Sequence, residues 1–262
     1  MIKTILTWLC GLALAGFVIA SFLPLIETNV YWVRFLDFPR LQFMVGTLVT
    51  LLLWVLLRRR IGPGTILTVL GLAAMLYQGT KLWPYQPLAT PMVGTVSGCA
   101  ADKKLRVLSA NVQMKNHQTD TFFDLVRDNA PDILLVLETN DWWDDKLSVL
   151  DADYAHHTQD IPEDAAYYGM HVFSRHPFAQ SEMTYPFDSD AALFVSRVDH
   201  PGAPFTFIGV HPRPPLGVDQ PSTMRDATIL RAALIAAESE TPTILAGDYN
   251  ATPWERTTQR AM

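Results

Sequence analysis

The sequence has only two cysteines, Cys10 and Cys99, and only 18% of its 262 residues are charged. Two cysteines exclude a small fold held together by several disulfides, and a hydrophobic fraction of 49% excludes a disordered chain. The few charges are unevenly distributed, because residues 1–100 carry +5 and residues 101–262 carry −11. This asymmetry predicts two structurally distinct parts of the chain, one sparsely charged and basic and the other acidic.

Three uncharged runs fill the first part, at residues 4–26, 41–57 and 61–80. Each is close to the ~20 residues that a helix needs to cross the hydrocarbon core of a membrane. Buried core helices are the alternative, but they rarely lack charge over such lengths. We therefore predict a transmembrane region over residues 1–83, although the first run, which follows Lys3, also fits a cleaved signal peptide.

The basic stretch Arg58-Arg59-Arg60 lies between the second and third runs and precedes a Gly-Pro-Gly turn. Because positively charged loops stay in the cytoplasm, the chain after Lys81 is expected on the other side, with Trp83 and Tyr85 at the interface. The sequence thus predicts a multi-pass protein of the cell (inner) membrane whose soluble part faces the periplasm or its equivalent.

Residues 84–103 are rich in proline, glycine, threonine and serine, which predicts a linker before a folded domain at 104–262. Apolar runs in that domain predict strands, and runs of helical spacing predict helices. The predicted strands are 105–110, 133–137, 170–174, 193–198, 205–210 and 243–246, and the predicted helices are 121–129, 141–150 and 222–238. Residues 151–163 are predicted to form a loop. This order indicates a layered α/β domain with a mixed sheet.

Polar side chains follow four of these strands at the point where each strand ends. They are Asn111, Glu138, His211 and the pair Asp248 and Asn250. Ligand sites of open α/β sheets collect at strand ends, so these positions predict one shared cleft. Carboxylate and amide oxygens at such a cleft suit Mg²⁺.

Each position taken alone also has a structural explanation. Asn111 is equally a turn residue, Glu138 a solvated strand end, and His211 an ordinary loop histidine. The segment Gly247-Asp-Tyr-Asn250 favours function, because the glycine permits close backbone approach and the two polar side chains are two residues apart.

Other candidates carry less weight. His117, His156 and His157 are expected to be solvated loop residues, and the pair Tyr167-Tyr168 is a candidate for placing a phenol near the cleft. The sequence has no glycine-rich nucleotide loop, nucleophile elbow or HExxH motif, which argues against P-loop, α/β-hydrolase and zincin chemistry.

The sequence contains, in order, the motifs Ser109-Ala-Asn111, Leu137-Glu138-Thr139, Gly169-Met-His-Val-Phe-Ser-Arg175, Gly209-Val-His211-Pro and Gly247-Asp-Tyr-Asn-Ala-Thr-Pro-Trp254. This set of motifs resembles the endonuclease/exonuclease/phosphatase superfamily, in a membrane-anchored bacterial branch. The resemblance implies a DNase I-like four-layer α/β sandwich and metal-dependent hydrolysis of phosphoric esters. It implies Mg²⁺ as the cofactor, with Mn²⁺ as an alternative.

The resemblance also implies roles for individual residues. Glu138 corresponds to the main metal ligand, with Asn111 and Asp248 near the ion. His211, Asp248 and Asn250 correspond to the catalytic set, and Asn111, His211 and Asn250 to the phosphate contacts. The family's later Asp and Ser-Asp-His segment has no counterpart before Met262. We therefore expect a C-terminally incomplete domain, impaired in catalysis; a degenerate family member is the alternative explanation.

The resulting expectation is a membrane-tethered, Mg²⁺-dependent phosphodiesterase or related phosphoesterase that acts outside the cytoplasm. A charge of −11 disfavours a non-specific grip on nucleic acid, so a lipid head group or small phosphodiester is the preferred substrate over nucleic acid. A non-catalytic membrane-bound binding or scaffold protein of the same fold is the alternative. No protein partner can be inferred.

Overall fold

The computed structural model describes residues 1–58, 62, 64–100, 103–163, 169–188, 191–217 and 222–262. The chain forms two compact units, which we call the helical unit and the α/β unit. The helical unit comprises Met1–Thr95, Leu216–Ser222 and Thr252–Glu255. The α/β unit comprises Val96–Pro215, Thr223–Ala251 and Arg256–Met262.

The helical unit is built from apolar helices. They are α1 Ile2–Phe22, α2 Tyr31–Phe35, α3 Arg40–Leu57 and α4 Thr65–Leu82, with single 3₁₀ turns at Leu23–Leu25 and Trp83–Tyr85. Prolines explain where α1 and α4 end, because Pro24 and Pro84 each lie in the 3₁₀ turn that follows the helix and cannot extend it.

Three of these helical stretches have the length and apolar composition needed to cross a membrane. They are Ile2–Leu25, Arg40–Leu57 and Thr65–Tyr85. The third begins later than the predicted run 61–80 and extends further toward the C-terminus. Ile61, Arg59 and Arg60 lie outside the described residues, so of the predicted basic loop the structure describes Arg58.

The three long helices pack around Leu14, Leu51 and Ala74. A polar chain marks one end of the bundle: Gln78 Nε2 donates to Ser21 Oγ at 3.0 Å, and Arg40 Nη1 donates to Gln78 Oε1 at 2.9 Å. The last turns of α1 and α4 therefore meet the first turn of α3, so the helices alternate in direction. It follows that Lys3 and Arg58 lie toward the opposite end of the bundle.

In the described residues of the α/β unit, eight strands form two sheets of four. The strands are β1 Val107–Asn111, β2 Ile133–Thr139, β3 His156–Asp160, β4 Gly169–Ser174, β5 Phe178–Thr184, β6 Leu193–Val198, β7 Phe205–Val210 and β8 Thr243–Gly247. The first sheet has the order β1-β2-β4-β3 and the second β5-β6-β7-β8. Only β1 with β2 and β7 with β8 pair in parallel among the described strands.

Helices α5 Thr119–Asn129, α6 Asp141–Leu147 and α7 Thr223–Glu238 cover the outer faces of the two sheets. The short α8 Arg256–Ala261 packs against α7, and a 3₁₀ segment spans Ser148–Ala152. Phe122 of α5 and Trp143 of α6 pack with residues of the first sheet, and Ala232 of α7 packs with residues of the second.

Strand β2 shows how the layers are held together. Leu135 and Leu137 pack against Phe194 and Phe207 of the second sheet, while Leu134 joins the cluster under α5 and α6. Both faces of β2 are thus buried, as an uninterrupted apolar strand requires. The predicted four-layer α/β sandwich is confirmed.

Two strands were not predicted. The predicted loop 151–163 contains β3, and His156 and His157 therefore lie on a strand and not in a loop. Strand β5 was also missed. Both occupy the edge of their sheet, where one side of the ladder is open and polar side chains reach solvent. Such strands lack the apolar run on which the prediction depended.

His171, in the middle of β4, is a buried titratable group between a hydroxyl and a carboxylate. Its Nδ1 lies 2.9 Å from Thr139 Oγ1 and its Nε2 lies 3.1 Å from Asp144 Oδ1. Burial lowers the pKa of His171 below its usual 6.5, although the Asp144 carboxylate acts in the opposite direction. The unfolded chain therefore binds a proton at this position at a higher pH than the folded chain does.

We expect the α/β unit to lose stability as the pH falls below about 6.5, because in that range the unfolded state binds more protons than the native state. His171→Gln should reduce this loss. Thermal unfolding of the full chain in detergent between pH 7.5 and pH 5.5 measures it, with His156→Gln on β3 as the matched control. A pH dependence equal in His171→Gln and wild type would contradict the prediction.

Candidate functional site

The five candidate side chains all belong to the α/β unit and lie at strand ends. Asn111 ends β1 and Glu138 lies near the end of its parallel neighbour β2. His211 directly follows β7, and Asp248 directly follows its parallel neighbour β8. Each sheet therefore presents the carboxyl ends of one parallel pair.

Glu138 is the extra residue of a β-bulge. Its neighbours Leu137 and Thr139 pair with Met170 and Gly169, which leaves Glu138 without a partner in the ladder. Its φ is +58°, a left-handed conformation that costs a non-glycine residue about 1 kcal/mol or more. Bulges re-aim a side chain at the end of a strand, and here the side chain that leaves the regular alternation is a carboxylate.

Asn111 joins the two acidic residues. Its Nδ2 donates to Glu138 Oε1 at 2.8 Å and to Asp248 Oδ2 at 3.1 Å. Its Oδ1 accepts a hydrogen bond from the Gln113 amide at 3.0 Å, which fixes the orientation of the side chain. Two carboxylates from different sheets thus face one amide nitrogen.

Gly247 brings β8 into place before Asp248. Its φ is +147°, and a Cβ at this position would lie 1.8 Å from the Val210 carbonyl oxygen. Only glycine fits so close to the end of β7. Asp248 is then held from its other side, because its Oδ1 accepts a hydrogen bond from the Asn250 amide at 3.0 Å.

Asn250 is fixed by three contacts in a left-handed backbone with φ +48°. Besides its amide bond to Asp248, its Nδ2 donates to the Pro212 carbonyl at 3.0 Å. Its own carbonyl accepts from Arg225 Nη1 at 2.9 Å. Asn250 is therefore tied to the residue directly after His211.

Arg225 contacts the candidate site through Asn250, which the sequence does not reveal. It lies in the first turn of α7, its side chain is fully buried, and it pairs with Asp226 at 2.7 Å. An arginine at the start of a helix normally indicates a solvated position, so no sequence pattern separates it from a surface charge.

Tyr249 has a structural role within the Gly-Asp-Tyr-Asn segment. It packs with the cluster that contains Ile208 and Val210, and its hydroxyl donates to the Leu245 carbonyl at 3.2 Å. Burial raises the pKa of Tyr249 to about 12, so the phenol stays protonated.

His211 is buried, with 2% of its surface exposed. Burial lowers the pKa of its imidazole, and the carboxylates of Asp248 and Glu138 act in the opposite direction. The net effect is a neutral ring at pH 7 that lies within electrostatic range of both acids. The structure thus brings all five candidates together.

The weaker candidates are placed differently. His117 is an exposed loop residue, as predicted, and its ring stacks on that of Trp142 with centroids 4.3 Å apart. Tyr167 and Tyr168 lie outside the described residues.

The donor set determines which metal the site suits. In the described part of the chain, no three or more histidine, cysteine and acidic side chains form a group that could hold a metal ion. Two carboxylates beside amides fit Mg²⁺, which is bound by one or two protein carboxylates and completes its shell with water and phosphate oxygens. They do not fit a tetrahedral zinc site, which needs three or four protein ligands.

Comparison with solved structures shows the same fold. A humanized D. rerio TDP2 with 14 mutations is 18% identical with a TM-score of 0.50, over 58% of this chain and 64% of that one. D. rerio TDP2 complexed with a single-strand DNA product is 16% identical with a TM-score of 0.51, over 60% and 64%. The chain thus spans less than two thirds of these proteins. A comparison with curated protein sequences gives no match.

The sequence profile of one family covers more than half of the chain. It matches residues 108–262, which contain both sheets except Val107, the first residue of β1, and all five strand-end side chains. The family consists of phosphoesterases and nucleases, which generally use divalent metals. The chain therefore belongs to the Endonuclease/Exonuclease/phosphatase family.

Proposed function

We propose that this chain is a membrane-tethered, Mg²⁺-dependent phosphoesterase that acts outside the cytoplasm. One observation carries the proposal: Glu138 and Asp248, at the ends of strands in different sheets, meet at the amide of Asn111. Two carboxylates held this close repel one another, and a divalent cation relieves that repulsion.

Glu138 and Asp248 would hold the cation. Asn111 presents its nitrogen to them, and turning its oxygen toward the ion would break the hydrogen bond from Gln113. In the observed orientation both N–H groups of Asn111 go to the two carboxylates, so Asn111 would contact a phosphate oxygen by exchanging one of these hydrogen bonds for it. Bound Mg²⁺ would supply charge neutralisation at the phosphate and acidify a water molecule, and Mn²⁺ suits the same oxygen ligands.

The remaining residues would act on the phosphate and on the proton. Neutral His211 is able to donate a hydrogen bond to a phosphate oxygen or to assist the leaving group. Asp248, whose carboxylate is fixed by the Asn250 amide, would orient the attacking water. Asn250 would hold the phosphate through its amide group, which Pro212 already fixes in place.

The charge of the soluble part argues for a small or lipid substrate. Residues 101–262 carry −11, whereas binding to nucleic acid rests on lysines and arginines that neutralise phosphates. A lipid head group or small phosphodiester is therefore preferred, and a single-stranded oligonucleotide is the comparison substrate. Faster hydrolysis of the oligonucleotide than of phospholipid in mixed micelles would reverse this preference.

We expect Glu138→Gln to lower hydrolysis of bis(p-nitrophenyl) phosphate by about 100-fold, because losing a ligand carboxylate weakens the metal site and its charge stabilisation. The full chain in detergent with Mg²⁺ is the sample, and electron paramagnetic resonance of Mn²⁺ reports binding separately. Glu182→Gln, on the exposed edge strand β5, is the matched control.

Undiminished hydrolysis in Glu138→Gln would refute the proposed site. Binding of Mn²⁺ that requires Glu138, with no hydrolysis of any phosphoester, would identify the chain as a binding or scaffold protein instead.

The membrane orientation rests on the helical unit. Lys3 and Arg58 lie toward the same end of the bundle, and basic residues at one end of a set of spans stay in the cytoplasm. The last turn of α4, which leads to residues 84–103 and the α/β unit, is then on the outer side.

The two natural cysteines test this orientation. Cys99 is exposed, whereas Cys10 lies within α1. We expect a membrane-impermeant maleimide to label the wild type in intact spheroplasts and to leave Cys99→Ser unlabelled, with Cys10→Ser as the matched control. Labelling of Cys99 only after permeabilisation would place the soluble part in the cytoplasm.

A further inference from the structure

A short segment directly after the site residues belongs to the helical unit. Thr252–Glu255 packs there, although residues on both sides of it in sequence belong to the α/β unit. It begins two residues after Asn250. The sequence does not indicate that this segment belongs to the helical unit, because the segment directly follows the Gly-Asp-Tyr-Asn motif.

Two hydrogen bonds and a ring contact hold the middle of the segment. Trp254 Nε1 donates to the Asp37 carbonyl at 2.6 Å, and the Tyr85 hydroxyl donates to the Pro253 carbonyl at 2.8 Å. The rings of Tyr85 and Trp254 meet edge to face with centroids 5.6 Å apart. These contacts involve the turn before α3 and the 3₁₀ turn after α4.

A buried ion pair holds the end of the segment. Arg34 of α2 pairs with Glu255, and their side chains are 1% and 0% exposed. A buried charge that loses its partner is strongly destabilised, so the pair opposes release of the segment. Asp37 is itself anchored, because its carboxylate pairs with Arg40 at the start of α3.

Only Ala251 separates the anchored segment Thr252–Glu255 from Asn250. Two residues span at most about 7 Å when extended. Strand β8 fixes the other side of the turn, and Asn250 already occupies a strained left-handed conformation.

We propose that Arg34, Asp37 and Tyr85 of the helical unit are positioning residues, which fix Thr252–Glu255 and thereby hold Asp248 and Asn250 in their working geometry. The inference rests on the function proposed for those two residues. The helices then serve the site mechanically, besides tethering it.

The test loosens the segment while keeping an aromatic side chain at both positions. In Tyr85→Phe with Trp254→Phe the hydrogen bonds to Pro253 and Asp37 are lost, and the indole becomes a smaller phenyl ring. We expect amide hydrogen exchange of residues 248–251 in the full, metal-free chain in detergent to rise at least about fivefold, since local opening becomes easier. Tyr31→Phe with Trp32→Phe, the same two substitutions on α2, is the matched control and should keep the wild-type exchange.

Kinetics separate positioning from a general loss of structure. We expect kcat for bis(p-nitrophenyl) phosphate to fall about tenfold with KM within twofold, because misplaced groups cost rate even when the substrate still binds. The apparent melting temperature should stay close to that of the control pair.

The outcomes are distinct. Unchanged exchange at residues 248–251 would overturn the inference, and so would faster exchange with unchanged kcat. If the wild type hydrolyses no phosphoester, the proposed function fails, and faster exchange confined to this segment would still support the mechanical link.

Discussion

The arrangement depends on holding two carboxylates against one amide. Glu138 and Asp248 both accept hydrogen bonds from Asn111 Nδ2, although their like charges repel one another. The backbone is strained around this point, since Gln113, Glu138 and Asn250 all have φ between +48° and +58°. Strained non-glycine residues persist where the surrounding structure over-determines them, here two buried sheets that end at the same place. A cation between the acids would turn the repulsion into binding.

Much of the sandwich could be predicted from the sequence, and the physical reason is burial. Strands β6 and β7 have the predicted bounds, because each contains an apolar run packed inside the molecule. Strands β3 and β5 could not be predicted, since an edge strand is stabilised by one neighbour and keeps polar side chains. The later start of α4 has a similar origin, because hydropathy marks what a membrane tolerates and not where a helix begins.

The candidate site likewise has features that the sequence predicts and features that only the structure reveals. Asn111, Glu138, His211, Asp248 and Asn250 could be chosen because each follows an apolar strand, and the strands determine where they meet. The bulge at Glu138 could not be predicted from the sequence, because it depends on how β2 pairs with β4. The burial of Arg225 and Arg34 could not be predicted either, since most arginines are exposed to solvent and no sequence pattern marks these two as exceptions.

Those two arginines account for how the segment after β8 keeps its shape. Arg225 donates to the carbonyl of Asn250 within the α/β unit, and Arg34 pairs with Glu255 within the helical unit. A guanidinium stays protonated at any pH that a cell compartment reaches and offers several donors in a fixed plane. A lysine would keep the charge but lose that geometry, and a histidine would lose the charge near neutrality. Arg225 and Arg34 thus hold the residues from Asn250 to Glu255 at both ends, each through a planar guanidinium with donors in fixed directions.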